Sequence, residues 1–213
     1  PLPLAMNLSL LCGECLKHPP EFERVVAPLH YRYPVNRLIS RYKYGQDRAL
    51  GQPLIGELEA AVVTRLRNAP HCRPDLLVPS PMHPARQRKR GFNQAEDIAE
   101  QLSRRLAIPW SVTLLRRATQ GTAQSGLNRR QRLSNLHQAF RVHGQAPPRV
   151  AIVDDVMTTG ATARTLARKL REAGARHVEV WVLARTPGRN IAEGMDGSAS
   201  ERAHHPVGDG KTG

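Results

Sequence analysis

The chain has 213 residues, with 32 Lys and Arg against 18 Asp and Glu and a formal net charge of +14. That length allows one ordinary domain with attachments and a core that needs no disulfide staples, and the charge favours polyanionic partners, nucleic acid or phosphorylated metabolites, without speaking to fold. Three cysteines, two of them in Cys12-Gly13-Glu14-Cys15 and the third alone at Cys72, do not make a secreted disulfide framework and fit a reducing, cytoplasmic setting. No apolar run reaches the roughly 18 residues that a membrane span requires.

Residues 1–24 form a proline-rich segment around the cysteine pair, and an aromatic, basic stretch follows, with Tyr31, Tyr33, Tyr42 and Tyr44. Within it Tyr33, Leu38 and Ile39 read as core positions, and Arg41, Lys43 and Arg48 as surface cations. Leu54, Leu58, Ala61, Val62 and Leu66 recur at helical spacing, which predicts an amphipathic helix ended by Asn68-Ala69-Pro70. Asp75 to Pro79 reads as a short buried strand stopped by prolines at 79, 81 and 84.

After the basic run at 86–90, Gly91-Phe92-Asn93-Gln94 leads into a helix whose apolar face is Ala95, Ile98, Ala99, Leu102 and Leu106. Between Met82 and Arg141 there are 12 basic residues against Glu96, Asp97 and Glu100, which concentrates the positive charge. Residues 116–138 read as a basic, polar loop grading into a helix near Arg129. Farther on, Val150 to Val153 is a continuous apolar strand, Ala161 to Ala173 a helix capped by Gly174, and Val178 to Ala184 a second strand. Strand, loop, helix and strand in so short a span predict a βαβ unit with a parallel pair. Residues 187–213 have too little apolar content to fold and are expected to be a disordered tail.

The chemistry concentrates at Val150 to Thr162. Two carboxylates, Asp154 and Asp155, come at the carboxyl end of the strand, where parallel α/β sheets bind ligands. Thr158, Thr159, Gly160, Ala161 and Thr162 then open a helix, so free amides and hydroxyls converge where the helix dipole favours an anion, and Gly160 lets the backbone approach a phosphate. Carboxylates beside a phosphate site repel it unless they contact something neutral or cationic. A ribose diol answers that, with Mg²⁺ held mainly by ligand oxygens and water. The plainer alternative, a buried strand ending in helix-capping aspartates, accounts for one carboxylate and leaves the threonine-glycine run unexplained.

This stretch resembles the phosphoribosyl-pyrophosphate (PRPP) motif of type I phosphoribosyltransferases. Together with Cys12-x-x-Cys15, Arg41 to Gly45, Pro79 to Pro84, Arg90 to Gln94, Gln124 to Leu127 with Arg129 and Arg132, and Leu183 to Thr186, it makes the chain similar to the ComF family. The resemblance implies an α/β fold, a parallel β-sheet flanked by helices over residues 25–186. It implies a truncated zinc-ribbon-like segment at 1–24, in which Cys12 and Cys15 are half of an incomplete site that binds Zn²⁺ only if an upstream cysteine pair is present. It further implies a candidate catalytic pair Asp154 and Asp155 on ribose hydroxyls, the 5′-phosphate on Thr158 to Thr162, and a pyrophosphate loop at Pro79 and Ser80. Arg86, Arg88, Lys89 and Arg90 would lie nearby as polyanion contacts, with Gln124, Arg129 and Arg132 in a flexible lid. The implied role is in DNA uptake or natural competence, with PRPP or a nucleotide, single-stranded DNA and a competence helicase as partners. Three readings stay open at this point: a Mg²⁺-dependent phosphoribosyltransferase of unnamed acceptor, a non-catalytic strand- or nucleotide-binding accessory, and a sensor that kept the fold.

Overall fold

The computed structural model describes residues 18–44, 48–118 and 138–186. Cys12 and Cys15 with most of the 1–24 segment, the expected lid residues Gln124, Arg129 and Arg132, and the 187–213 tail lie outside the described residues. In chain order the elements are β1 (Arg24–Val26), β2 (Leu29–His30), α1 (Val35–Tyr44), α2 (Gly51–Asn68), β3 (Leu76–Pro79), α3 (Pro84–Arg90), α4 (Gln94–Leu106), β4 (Leu115–Arg117), β5 (Phe140–Val142), β6 (Arg149–Met157), α5 (Ala161–Glu172) and β7 (His177–Arg185). Single 3₁₀ turns stand at Arg48–Leu50 and Pro70–Cys72.

The main sheet is parallel throughout. Its order is β1-β7-β6-β3, and β2 continues the pairing of β1 along β7. The expected βαβ unit is its centre, with β6 and β7 side by side and α5 between them in sequence. Strands buried on both faces need apolar residues at nearly every position, and β6 and β7 have them. Val150, Ile152, Val178, Val180 and Val182 pack with Leu166, Ala167 and Leu170 of α5. On the other face Ala151, Val153, Trp181 and Leu183 pack with α1, α2 and α4 through Ile39, Tyr42, Ile55, Leu58, Ile98 and Leu102. Each such side chain, fully buried, contributes about 1.5–3 kcal/mol relative to exposure. The result is a parallel sheet flanked by helices, as the sequence implied.

Helix ends follow local chemistry. In α4, the Asn93 side chain accepts a hydrogen bond from the Ala95 amide at 3.1 Å, with Glu96 and Asp97 in the first turn and Arg104 and Arg105 in the last, all favourable to the dipole. The basic run, to which periodicity assigned no structure, is the short helix α3. Pro84 sits in its first turn, where a missing N–H costs nothing, and Gly91 closes it at φ 82°.

Three expectations need correction. Strand β6 does not stop at Val153 but runs on to Met157, because β7 is equally long and continues the ladder, pairing Asp154 with Val182 and Val156 with Ala184. Tyr33 and Leu38 are not core residues; they are 74% and 38% exposed, and the inward face of α1 is Ile39 and Tyr42. Lys43 is not a surface cation, since its ammonium lies 2.9 Å from the Asp155 carboxylate with the side chain 16% exposed. Arg41 and Arg48 are exposed, as read.

Candidate functional site

At the carboxyl end of β6 the chain turns through Thr158, Thr159 and Gly160 into α5. Gly160 precedes the helix at φ 75°, a left-handed backbone that favours glycine, while a Cβ there would have only the movable Met157 methyl, at 2.6 Å, to displace. Having no side chain, it leaves the first-turn amides without a side-chain cap. The nearest substitute is weak: the Ala161 amide reaches the Thr159 hydroxyl at 3.4 Å. Thr158 and Thr159 are exposed, Ala161 and Thr162 half-buried. These five residues and Asp154 line a small cleft of about 60 Å³, whose apolar floor includes Ile152, Val180 and Val182. Sheet end, helix dipole and uncapped amides thus meet in one recess.

The two aspartates take opposite sides of the strand. Asp154 faces the cleft, and its Oδ1 accepts the Asp155 amide at 2.8 Å. Burial, with the Asp155 charge adding to it, raises the Asp154 carboxyl from 3.8 to about 7 against weaker opposition from hydrogen bonds of the Asp155 amide and the Ser80 side chain and from the Lys43 charge. Asp155 turns to the α1 side and holds Lys43. Asp154 therefore meets the cleft as a neutral acid over part of the physiological range, while Asp155 is engaged by the Lys43 ammonium.

The last turn of α1 is pinned beside this edge. The Tyr42 hydroxyl donates to Asp97 of α4 at 2.7 Å, Gln94 donates to the Lys43 carbonyl at 3.3 Å, and Arg90 donates to the Tyr44 hydroxyl at 3.1 Å with its guanidinium 4.9 Å from the ring centre. Burial and Asp97 push the Tyr42 hydroxyl far above its ordinary range, so it stays a donor. Arg48 completes the group, 3.9 Å from Asp97 and stacked over Phe92 at 5.1 Å. None of these partners was legible in the sequence, which offered only the Arg-Tyr-Lys-Tyr-Gly run as a signal.

Pro79 and Ser80, the expected pyrophosphate loop, are buried at the end of β3, and the Ser80 amide donates to Val153 at 2.8 Å. That amide is occupied by the sheet, while the Ser80 side chain bonds Asp154. In α3, Arg86, Arg88 and Lys89 are exposed, and Arg90 is tied to Tyr44 and Gln94. Burial, with the Arg86 charge adding to it, lowers the Arg117 guanidinium on β4. There the Ala118 amide donates to the Ala139 carbonyl at 2.8 Å.

Oxygen donors at Asp154 and Ser80 suit a hard cation such as Mg²⁺ carried on a phosphorylated ligand. No helix among the described residues is long and apolar enough to cross a membrane. No protein-family model matches the chain. It is 36% identical over 178 residues to Competence protein F of Haemophilus influenzae, covering 82% of this chain and 78% of that one. It is 35% identical over 183 residues to the DNA utilization protein YhgH of Escherichia coli K12, covering 85% and 81%. Among solved structures, a purine phosphoribosyltransferase from Pyrococcus horikoshii is similar at 21% identity over 63% of this chain and 74% of that one, with a TM-score of 0.41, too loose a match to carry an argument. The identity to full-length relatives is decisive: the chain belongs to the ComF family of competence protein F and its relatives.

Proposed function

We propose that this protein binds PRPP with Mg²⁺ on a type I phosphoribosyltransferase scaffold and serves DNA uptake or utilization, as the names of its relatives suggest. The observation that carries the reading is the uncapped, glycine-led start of α5 sharing one cleft with Asp154. A 5′-phosphate fits the amides and hydroxyls of Thr158 to Thr162. The ribose then lies along the end of β6, with a hydroxyl against Asp154.

Asp154 can donate to or accept from that hydroxyl, depending on its proton. Asp155 becomes a second acceptor only as Lys43 gives it up, and the pyrophosphate is the natural new partner for that ammonium. Mg²⁺, when bound to the pyrophosphate oxygens, offsets charge that the protein leaves uncompensated. Calorimetric titration with PRPP and Mg²⁺ tests the reading. Binding that vanishes in Asp154→Asn but survives in Arg88→Ala supports it, and absence of binding by the wild type ends it. Release of pyrophosphate upon adding a nucleobase, ammonia or glutamine would make the protein a transferase; binding without release would make it a carrier or sensor.

A second reading has its own observation. Exposed Arg86, Arg88 and Lys89 share α3 with Arg90, whose guanidinium lies over the ring of Tyr44, itself 61% exposed. An aromatic face among cations is how proteins hold single-stranded nucleic acid without sequence preference. Binding to single-stranded DNA that weakens steeply with salt would support it, and salt-insensitive binding would remove it.

A further inference from the structure

The third cysteine lies far from the phosphate cleft, at the amino end of β7. Cys72 closes the 3₁₀ turn after α2, and His177 and Glu179, two residues apart on a strand, project to the same face. One sulfur, one imidazole nitrogen and one carboxylate oxygen from the three lie within 4.8 Å of one another. His177 Nε2 and Glu179 Oε1 are already 3.4 Å apart, close to the about 3.4–3.6 Å that tetrahedral zinc ligands keep from one another.

The surroundings match what a metal site needs outside its ligands. Glu23 Oε2, which accepts the Val178 amide at 2.7 Å, stands 3.7 Å from His177 Nδ1, a short shift from the position in which a carboxylate orients a ligating imidazole. Trp181 Nε1 donates to Glu179 Oε2 at 3.0 Å and Arg65 to Oε1 at 2.7 Å, which fixes the carboxylate. Glu179 is fully buried, on a face otherwise lined by the larger apolar core. The independent sign is Arg65 Nε, a buried N–H without an acceptor among the described residues. Unpaired buried donors are rare and costly. Cys72 is its neighbour and at best a weak acceptor, and a metal-bound sulfur there would be the stronger one.

We propose that Cys72, His177 and Glu179 bind a borderline-soft divalent cation of the zinc class, with water at the fourth position on the partly exposed His177 side. The thiolate excludes Mg²⁺ and Ca²⁺ as preferred occupants. On binding, the cysteine proton leaves to solvent, and Arg65, retained by Glu179, donates Nε–H to the sulfur. The ion then ties the end of α2 to β7 and, through Glu23, to the segment before β1. It uses neither Cys12 nor Cys15 as a ligand.

The test uses the full chain with Cys12→Ser and Cys15→Ser, titrated with Co²⁺ and read by the thiolate-to-cobalt charge-transfer band, then by competition with Zn²⁺. The expected result is about one equivalent bound, a band abolished by adding Cys72→Ser or, on the half-exposed ligand, His177→Gln, and a melting temperature raised by Zn²⁺. Glu23→Gln should weaken binding by on the order of 10- to 100-fold without removing the band. A Cys12→Ser, Cys15→Ser protein without the band, or a band indifferent to Cys72→Ser and His177→Gln, overturns the proposal.

Discussion

Replacing Asp154 by asparagine removes a carboxyl that burial and Asp155 raise from 3.8 to about 7. Below the unfolded value both states carry the proton and the side chain adds no pH dependence. As pH climbs from about 4 to 7 the unfolded chain releases that proton and the folded one does not, so stability falls through this window and levels off above it. A rise from 3.8 to about 7 corresponds to roughly 4 kcal/mol at about 1.4 kcal/mol per tenfold. Asparagine keeps the shape and the Oδ1 that accepts the Asp155 amide, while its NH₂ can donate to the Ser80 hydroxyl. Urea unfolding of wild type and Asp154→Asn at pH 5 and pH 8 measures the effect. The variant should match the wild type near pH 4, be more stable at pH 8 by up to that amount, and melt up to about 8–16 °C higher for a domain of this size. It should also lose affinity for PRPP, a stability gain set against function. Equal pH slopes in the two proteins would refute the argument that this carboxyl is held neutral by its surroundings.

Lys43→Met leaves Asp155 without its cation and should destabilise by about 2 kcal/mol, less than the 3–5 kcal/mol of a fully buried pair, with most of the loss restored in the Lys43→Met, Asp155→Asn double variant; a thermodynamic cycle of melts checks it. Gly160→Ala meets a left-handed backbone and should cost about 1 kcal/mol of stability, with a larger proportional loss of PRPP affinity in calorimetry because the added methyl stands at the phosphate approach. Arg86→Ala, Arg88→Ala and Lys89→Ala together should lower the salt slope of single-stranded DNA binding by about 2 if all three touch phosphates, while PRPP titrations stay unchanged.

Local pattern was sufficient for the centre of the fold. An unbroken apolar run at 150–153, the threonine-glycine turn and a second apolar run at 178–184 can only be satisfied by a parallel pair joined through a helix, so the βαβ unit and the position of Asp154 at its carboxyl edge were legible from spacing alone. Where the strand ended was not, because the length of a ladder depends on its partner as well as on its own residues. In α1, Leu38 and Ile39 are equally apolar, and only the docking of the helix decided that Ile39 and Tyr42 turn inward while Leu38 stays out.

Charge partners show the same division more sharply. In sequence, Lys43 reads as a surface cation, Asp155 as a ribose ligand, and Arg65, Asp97 and Glu179 carry no signal of a partner; in the fold they close three pairings across long separations, Lys43 with Asp155, Tyr42 with Asp97 and Arg65 with Glu179. The sequence by itself determined which segments are apolar, where the threonine-glycine turn falls and that the chain is basic, since those follow from neighbours along the backbone. Which aspartate faces the cleft, which charge neutralises the other, and that Cys72 meets His177 and Glu179 were decided by tertiary structure alone, because the energy of a charge or a ligand depends on what the folded chain brings within a few ångströms of it.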